Sequence, residues 1–151
     1  MGLEEAIKQS KFESEREKAI VNISYTQSYL STSFNTALKE YNISLQQFNV
    51  LRILKGQHPK AVSINDITAR MVDKMSNCSR LVDKLYTKEL VKRETCSYDK
   101  RQLDISLTSK GSSTLEELNM LTKEVITHHD NLTDTEYQTL NELLDKLRGE
   151  K

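Results

Sequence analysis

The chain has 151 residues, of which 36% are apolar and 29% charged, and it contains only four glycines and one proline. This composition is typical of one mostly helical domain, and the length excludes two domains of ordinary size. No apolar run approaches the roughly 20 residues that a membrane span requires, and the first residues lack the apolar core of a signal peptide. We therefore expect a cytoplasmic protein that does not enter a membrane.

The charged residues are unevenly distributed along the chain. The net charge is zero, which by itself argues against a general nucleic-acid binder. Residues 70–101, however, hold nine basic and five acidic side chains, a local charge of +4, whereas residues 102–151 hold five and ten, a charge of −5. Any surface for a polyanion is expected in the central segment.

The first half of the chain has a helical pattern. Apolar residues recur at helical intervals over 12–41 without a proline or glycine, so we predict one long helix there. Asn42 is a plausible left-handed stop, and Ser44 with Gln47 forms a capping-box pattern that starts a second helix. Gly56 is predicted to end that helix.

Two further helices are predicted to form a helix-turn-helix. Ser63 and Asp66 have the spacing of a second capping arrangement, at the start of a short helix. A break at 72–74 follows, with Asp73 as the predicted N-cap of an amphipathic helix that includes 75–85. Two helices joined by a turn of a few residues are the elements of this motif.

The pattern then changes to strands and back to helices. Val91–Thr95 and Leu103–Leu107 alternate, and the polar segment 96–102 joins them as a hairpin, or wing. From Thr108 the pattern is helical, with a break near 131–134. The expected fold is mainly α with a small β-hairpin wing.

The terminal helices are predicted to serve dimerisation. Neither terminal segment can bury its apolar stripe on so small a core, so we assign 12–41 and 112–148 to pairing with a second copy. The winged helix-turn-helix domain between them spans 44–107. The protein is therefore expected to be a homodimer.

With these elements in order, the chain resembles the MarR (multiple antibiotic resistance regulator) family of bacterial regulators. The matching residues are 44–51 (SLQQFNVL), 79–85 (SRLVDKL), and 99–101 (DKR) followed by 107–111 (LTSKG). The resemblance implies a dimeric winged helix-turn-helix protein that binds a palindromic operator, most often as a repressor. Small phenolic or other organic ligands, oxidants or metals release such repressors from DNA.

The chain departs from that family at two points. Glu89 stands where the family usually has glycine between the recognition helix and the wing. No cysteine precedes Cys78, although the oxidant-sensing branch depends on one near the start of the first long helix.

The recognition helix is predicted to have one apolar and one polar side. Met75, Cys78, Val82 and Leu85 fall on the apolar side, whereas Ser76, Arg80, Asp83, Lys84 and Thr87 fall on the other. In a major groove Arg80 suits guanine, Asn77 suits adenine, and the hydroxyls of Ser76 and Ser79 suit base edges or phosphates. A solvated helix face is the competing interpretation.

The wing is predicted to reach a minor groove. Arg101 suits the negative potential of a narrow groove, and the resemblance implies that Asp99 holds its guanidinium. Lys92, Arg93 and Lys100 are expected to contact phosphates. The candidate DNA-binding residues are therefore Ser76, Asn77, Ser79, Arg80, Lys84, Lys92, Arg93, Asp99, Lys100 and Arg101.

Other chemistry receives little support from the sequence. Glu124 and His128 lie one helical turn apart but lack a third ligand, so no metal site is expected. There is no Gly-rich phosphate loop or nucleophile grouping, so we expect neither an enzyme nor a cofactor. The first helix carries Tyr25, Tyr29 and Tyr41. These tyrosines are explained equally well by an effector cavity and by packing at a dimer interface.

Two alternatives to DNA binding remain open. Zero net charge and the acidic C-terminal third are compatible with a helical, dimeric protein-interaction module. A thiol-based redox switch would use Cys78 or Cys96. Cys78 is expected to be a buried small apolar residue, and nothing beside Cys96 marks it as activated.

Overall fold

The computed structural model describes residues 1–149 and is mostly helical. Its helices, in chain order, are α1 (Leu3–Ile7), α2 (Glu15–Leu38), α3 (Leu45–Gln57), α4 (Ile64–Arg70), α5 (Cys78–Thr87), α6 (Ser109–His128) and α7 (Asp134–Arg148). The strands are β1 (Val62–Ser63), β2 (Val91–Thr95) and β3 (Leu103–Leu107). The predicted class, mainly α with a small β-hairpin wing, is confirmed.

The three strands form one antiparallel sheet in the order β1-β3-β2. β2 and β3 have the bounds that the alternating pattern predicts, and Val91 pairs with Leu107 at the base of the hairpin. β1 pairs Val62 with Ile105 on the other edge of β3 and was not predicted. Two residues are too few to produce an alternating pattern.

One apolar core lies under α3, α4, α5, the sheet and the first half of α6. Leu51, Ile67, Leu85 and Ile105 are completely buried in it. In contrast, α2 buries only Leu38, and α7 buries no residue. Large apolar side chains are therefore exposed on the terminal helices: Ile20, Ile23, Tyr29, Met120, Ile126, Leu140, Leu143 and Leu147.

Most of the predicted helix ends are confirmed. The long helix predicted over 12–41 begins at Glu15 and not at Phe12, because Ser14 caps α2 by accepting the Glu17 N–H, and it ends in a 3₁₀ turn at Lys39–Tyr41. Asn42 has a φ of 51°, the left-handed stop that the sequence predicted. Both predicted capping boxes, at Ser44 and at Ser63, are present.

The prediction that Gly56 ends α3 is wrong. The helix continues to Gln57, and His58, with φ −57° and ψ 138°, is its C-cap. Pro59 explains the difference, because the residue before a proline is pushed out of the helical region into extended backbone. Gly56 is therefore an ordinary helical residue.

The predicted start of the recognition helix, α5, is also wrong. Asp73 is not the N-cap: its carboxylate accepts the Met75 N–H at 2.9 Å and the Gln46 side-chain amide at 2.8 Å. These bonds, the first one foremost, lower the pKa of Asp73. Asn77 caps α5 by accepting the Arg80 N–H at 3.1 Å. Residues before Cys78 therefore belong to the turn, and Met75 is 91% exposed and does not face the core.

Glu89 adopts a backbone conformation that glycine adopts most easily, at the position where the MarR family usually has glycine. Its φ is 60°, in the left-handed region that disfavours side chains with a β-carbon. Its carbonyl accepts the Thr108 hydroxyl at 2.7 Å, which ties the turn after α5 to the start of α6. The chain therefore forms the left-handed turn after α5 with glutamate in place of glycine.

We expect Glu89→Gly to raise the free energy of unfolding by about 1 kcal/mol, since relief of left-handed strain outweighs the entropy of a glycine in the unfolded chain. Urea denaturation measures this change. Glu89→Ala is the matched control, because it also removes the exposed 3.6 Å ion pair with Lys110 but keeps the β-carbon. Equal gains in the two variants would contradict the strain argument.

Among residues 1–149, no helix combines the length and apolarity needed to cross a membrane.

Candidate nucleic-acid interface

Helix α5 has one buried and one exposed side. Cys78, Leu81, Val82 and Leu85 are buried in the core. Of the residues that the sequence assigned to the polar side, Arg80, Asp83, Lys84 and Thr87 are exposed on α5, and Ser79 is exposed beside them. Met75 and Ser76 lie outside α5, in the turn before it; for the other residues named, the predicted division of the helix into apolar and polar sides is confirmed.

The turn before α5 holds two of the predicted base contacts in unexpected positions. The Ser76 hydroxyl oxygen is shielded from solvent. Asn77 is exposed, but its amide oxygen accepts the Arg80 N–H as the helix cap. A contact from Asn77 to adenine would therefore use mainly the NH₂ group, and both assignments stay predictions.

The wing presents cations at its tip. Lys100 and Arg101 are exposed in the turn between β2 and β3. Asp99 accepts the backbone N–H of Arg101 at 2.9 Å, so this contact orders the turn but does not hold the guanidinium. Within residues 1–149 the Arg101 side chain takes part in no ion pair. Lys92, on β2, lies 3.1 Å from Glu94.

Arg93 differs from the other predicted phosphate contacts. Its guanidinium lies 2.5 Å from the Asp83 carboxylate and stacks over the Tyr86 ring, 3.8 Å from the ring centre. Both partners belong to α5, whereas Arg93 belongs to β2. Sequence reasoning did not identify this role of Asp83 and Tyr86, because the contact exists only once the hairpin folds back on the helix.

A cationic cleft of about 640 Å³ lies where the end of α2 and the start of α3 meet α5. Lys39, Lys84 and Lys88 line it. Lys88 donates a hydrogen bond to the Asn42 carbonyl, and burial, together with the charge of Lys84, lowers the pKa of Lys88. The cleft joins the terminal helix to the recognition helix and suits an anionic group.

A second cleft, of about 550 Å³, lies between α2 and α6. His129 is 3.2 Å from the Ser33 hydroxyl and makes an edge contact with the Tyr29 ring. Glu124 and His128 also line this cleft, but residues 1–149 contain no group of three or more potential metal ligands. The three tyrosines suggested for an effector cavity line neither cleft.

The two cysteines are separate, free thiols. Cys78 is buried beneath α5, as the sequence predicts. Cys96 is half-buried at the end of β2. Neither thiol lies in the two clefts.

Comparison with known proteins agrees with this architecture. Residues 32–118 match the family described as transcriptional regulator SarA/Rot. The HTH-type transcriptional regulator MgrA of Staphylococcus aureus is 30% identical over 113 residues, which cover 75% of each chain.

Solved structures of MarR-type regulators share the fold. A cysteine-to-serine mutant of Escherichia coli MarR, complexed with operator DNA, has a TM-score of 0.75 at 24% identity and covers 91% of this chain and 99% of its own. CouR of Rhodococcus jostii, bound to p-coumaroyl-CoA, has a TM-score of 0.74 at 18% identity and covers 90% and 95%. The match to the regulator family, which is not a family of enzymes, agrees with the expectation drawn from the sequence. The chain belongs to the SarA/Rot family of transcriptional regulators and has the winged-helix architecture of the MarR type.

Proposed function

We propose that the chain is a sequence-specific regulator that binds double-stranded DNA as a homodimer on a palindromic operator and acts as a repressor. The observation that carries this proposal is the exposed side of α5, with Arg80 and Lys84, beside a wing that exposes Lys100 and Arg101. A helix of this kind fits a major groove, and a cationic hairpin tip suits the adjacent minor groove. The operator complex of E. coli MarR, which has the same fold, supports the assignment.

The experiment is selection of duplexes from a random pool, followed by titration at several salt concentrations. We expect the affinity for the selected duplex to fall steeply with salt, because cations that contact phosphates displace condensed counterions. A competing duplex of unrelated sequence is the control for specificity. No duplex bound, or an affinity independent of salt, would contradict the proposal and favour a protein-interaction module.

The exposed apolar residues of α2, α6 and α7 support the homodimer. Met120, Ile126 and Leu143 are 58–62% exposed in the single chain, a costly arrangement unless another surface covers them. A two-fold dimer brings two α5 helices onto one face, and the palindrome reflects that symmetry. Sedimentation is expected to give twice the mass of one chain.

We expect Leu143→Glu to raise the dimer dissociation constant by at least about tenfold, because it places an unpaired charge in an apolar interface. Analytical ultracentrifugation over a concentration series measures the constant. Val72→Glu is the matched control, since Val72 is 86% exposed in the turn before α5, away from the terminal helices. Equal effects of the two substitutions would contradict the assigned interface.

The cleft at Lys39, Lys84 and Lys88 supports a response to a small organic effector. An anionic phenolic ligand there would neutralise lysines and press on α5, which carries the proposed DNA contacts. The crystal structure of CouR, which has the same fold, contains bound p-coumaroyl-CoA, a thioester of a phenolic acid. The selected duplex provides the assay, in which small phenolic carboxylates are screened for release of the protein.

A further inference from the structure

Arg93 is the predicted phosphate contact whose surroundings least suit that role. Only 29% of its side chain is exposed, compared with 55% for Lys92 on the same strand. Its charge is already paired with Asp83, and one face of its guanidinium is covered by Tyr86. A phosphate would have to displace both partners.

Asp83 is equally unusual as a DNA-facing residue. It lies on the exposed side of α5, beside Lys84 and near Arg80, where an isolated carboxylate would repel phosphates. Pairing with Arg93 neutralises it. The ion pair therefore accounts for an acidic residue on an otherwise cationic helix side.

We propose that Asp83, Tyr86 and Arg93 form a clamp that fixes the wing against the recognition helix, which makes Arg93 a positioning residue for DNA recognition. The proposal rests on the proposed DNA-binding function. Between α5 and β2 the chain passes through the left-handed turn at Glu89, so the angle of the wing is not set by continuous secondary structure. The clamp adds a charge-assisted hydrogen bond and a cation–π contact across that turn.

The angle between the wing and α5 matters because Arg80 and Arg101 must enter neighbouring grooves of the DNA together. Arg80 lies on α5 and Arg101 at the tip of the wing, so rotation of the hairpin changes the separation of the two guanidinium groups. Side chains that bind in concert lose affinity when their relative position varies. The clamp should therefore strengthen specific binding without contact between Arg93 and DNA.

Asp83→Asn tests this proposal, because the clamp and simple electrostatics predict opposite changes in the affinity for DNA. The substitution removes a negative charge from the DNA-facing side, so simple electrostatics predicts tighter binding. The clamp predicts about fivefold weaker binding to the selected duplex, the difference between a charged and a neutral hydrogen bond. Glu94→Gln is the matched control, because it removes an acid from the same hairpin and releases Lys92; its binding should be unchanged or tighter.

Variants of the other two members separate the clamp from direct phosphate contact. Arg93→Gln should weaken specific binding while the slope of log affinity against log salt stays unchanged, whereas loss of a phosphate contact would reduce that slope by about 1. Tyr86→Phe retains the ring face and should bind like the parent, but Tyr86→Ala should not. Tighter binding by Asp83→Asn, or a reduced slope for Arg93→Gln, would overturn the proposal.

Amide hydrogen exchange tests the clamp without DNA. Exchange in residues 91–107 is expected to be faster in Asp83→Asn than in Glu94→Gln, with little change in the core helix α3. Equal exchange in the two variants would overturn the clamp even if the parent binds DNA. A parent protein that binds no duplex would instead contradict the proposed function, and exchange would still report on the clamp.

Discussion

Gly111→Ala is expected to lower the free energy of unfolding by about 2–3 kcal/mol, the upper part of the range for overpacking in a tightly packed region. A β-carbon at Gly111 would lie 1.9 Å from the Leu90 carbonyl oxygen and 2.9 Å from its carbonyl carbon. These are backbone atoms, so no side-chain rotation relieves the overlap. Either the first turn of α6 or the turn that leads into the wing has to move.

Gly56→Ala is the matched control for that substitution. Gly56 lies inside α3, and a β-carbon there would meet nothing within 4 Å. Replacing a helical glycine with alanine should therefore raise the free energy of unfolding by about 0.5–1 kcal/mol. Urea denaturation of both variants measures the two changes, which should have opposite signs. A tolerated Gly111→Ala would mean that α6 is not seated on the wing turn as described.

The contact at Gly111 also connects the start of α6 to the turn between α5 and the wing. Thr108 caps α6 by accepting the Gly111 N–H at 2.9 Å, and the same hydroxyl donates to the Glu89 carbonyl. The Thr108 N–H donates to the Leu90 carbonyl at 3.1 Å. The start of a proposed dimerisation helix is therefore bonded to the turn between the recognition helix and the wing. A shift of one is expected to displace the other.

The elements that could be predicted from the sequence are those with a local signal. The bounds of β2 and β3 follow from the loss of helical periodicity after Leu90 and from the alternation of apolar and polar residues in β3, whose Ile105 is buried. The caps at Ser44 and Ser63 follow from the pairing of a short hydroxyl with an acid or amide three residues later. Such signals need no information from distant parts of the chain.

The errors arise where distant contacts select among similar local options. Asp73 and Asn77 are both good N-caps, and the hydrogen bond from Gln46 of α3 to Asp73 is a contact that the local pattern does not contain. Likewise, the sequence marks Arg93 only as a cation on a hairpin. Its pairing with Asp83 depends on the angle between β2 and α5, which local propensity does not set.

For the candidate site, the sequence predicted the surface better than the individual contacts. Arg80, Lys84, Lys100 and Arg101 are exposed, as a nucleic-acid surface requires. Ser76, however, has a shielded hydroxyl, and Asn77 is partly engaged as a cap. Helical periodicity gives the side of a helix on which a residue lies, but hydrogen bonds at the helix start decide which polar groups remain available.

Arg80→Ala is expected to lower affinity for the selected duplex about tenfold to a hundredfold, the range for loss of a bidentate contact to guanine. Arg80 is exposed on α5, and within residues 1–149 its guanidinium has no ion-pair partner, so removing it leaves no buried charge behind. Fluorescence anisotropy with the selected duplex and with a random duplex gives the two affinities. The specificity ratio should fall, because the random duplex loses only a general electrostatic attraction.

Two comparisons decide whether Arg80 reads bases. Lys92→Ala should weaken binding to both duplexes equally. It should also reduce the slope of log affinity against log salt by about 1, as expected for a phosphate contact. Arg16→Ala removes an exposed arginine near the start of α2, outside the proposed surface, and should leave both affinities unchanged. If Arg80→Ala lowers the two affinities by the same factor, Arg80 contacts phosphate and sequence recognition depends on other residues. If it changes neither affinity, α5 is not the helix that enters the groove.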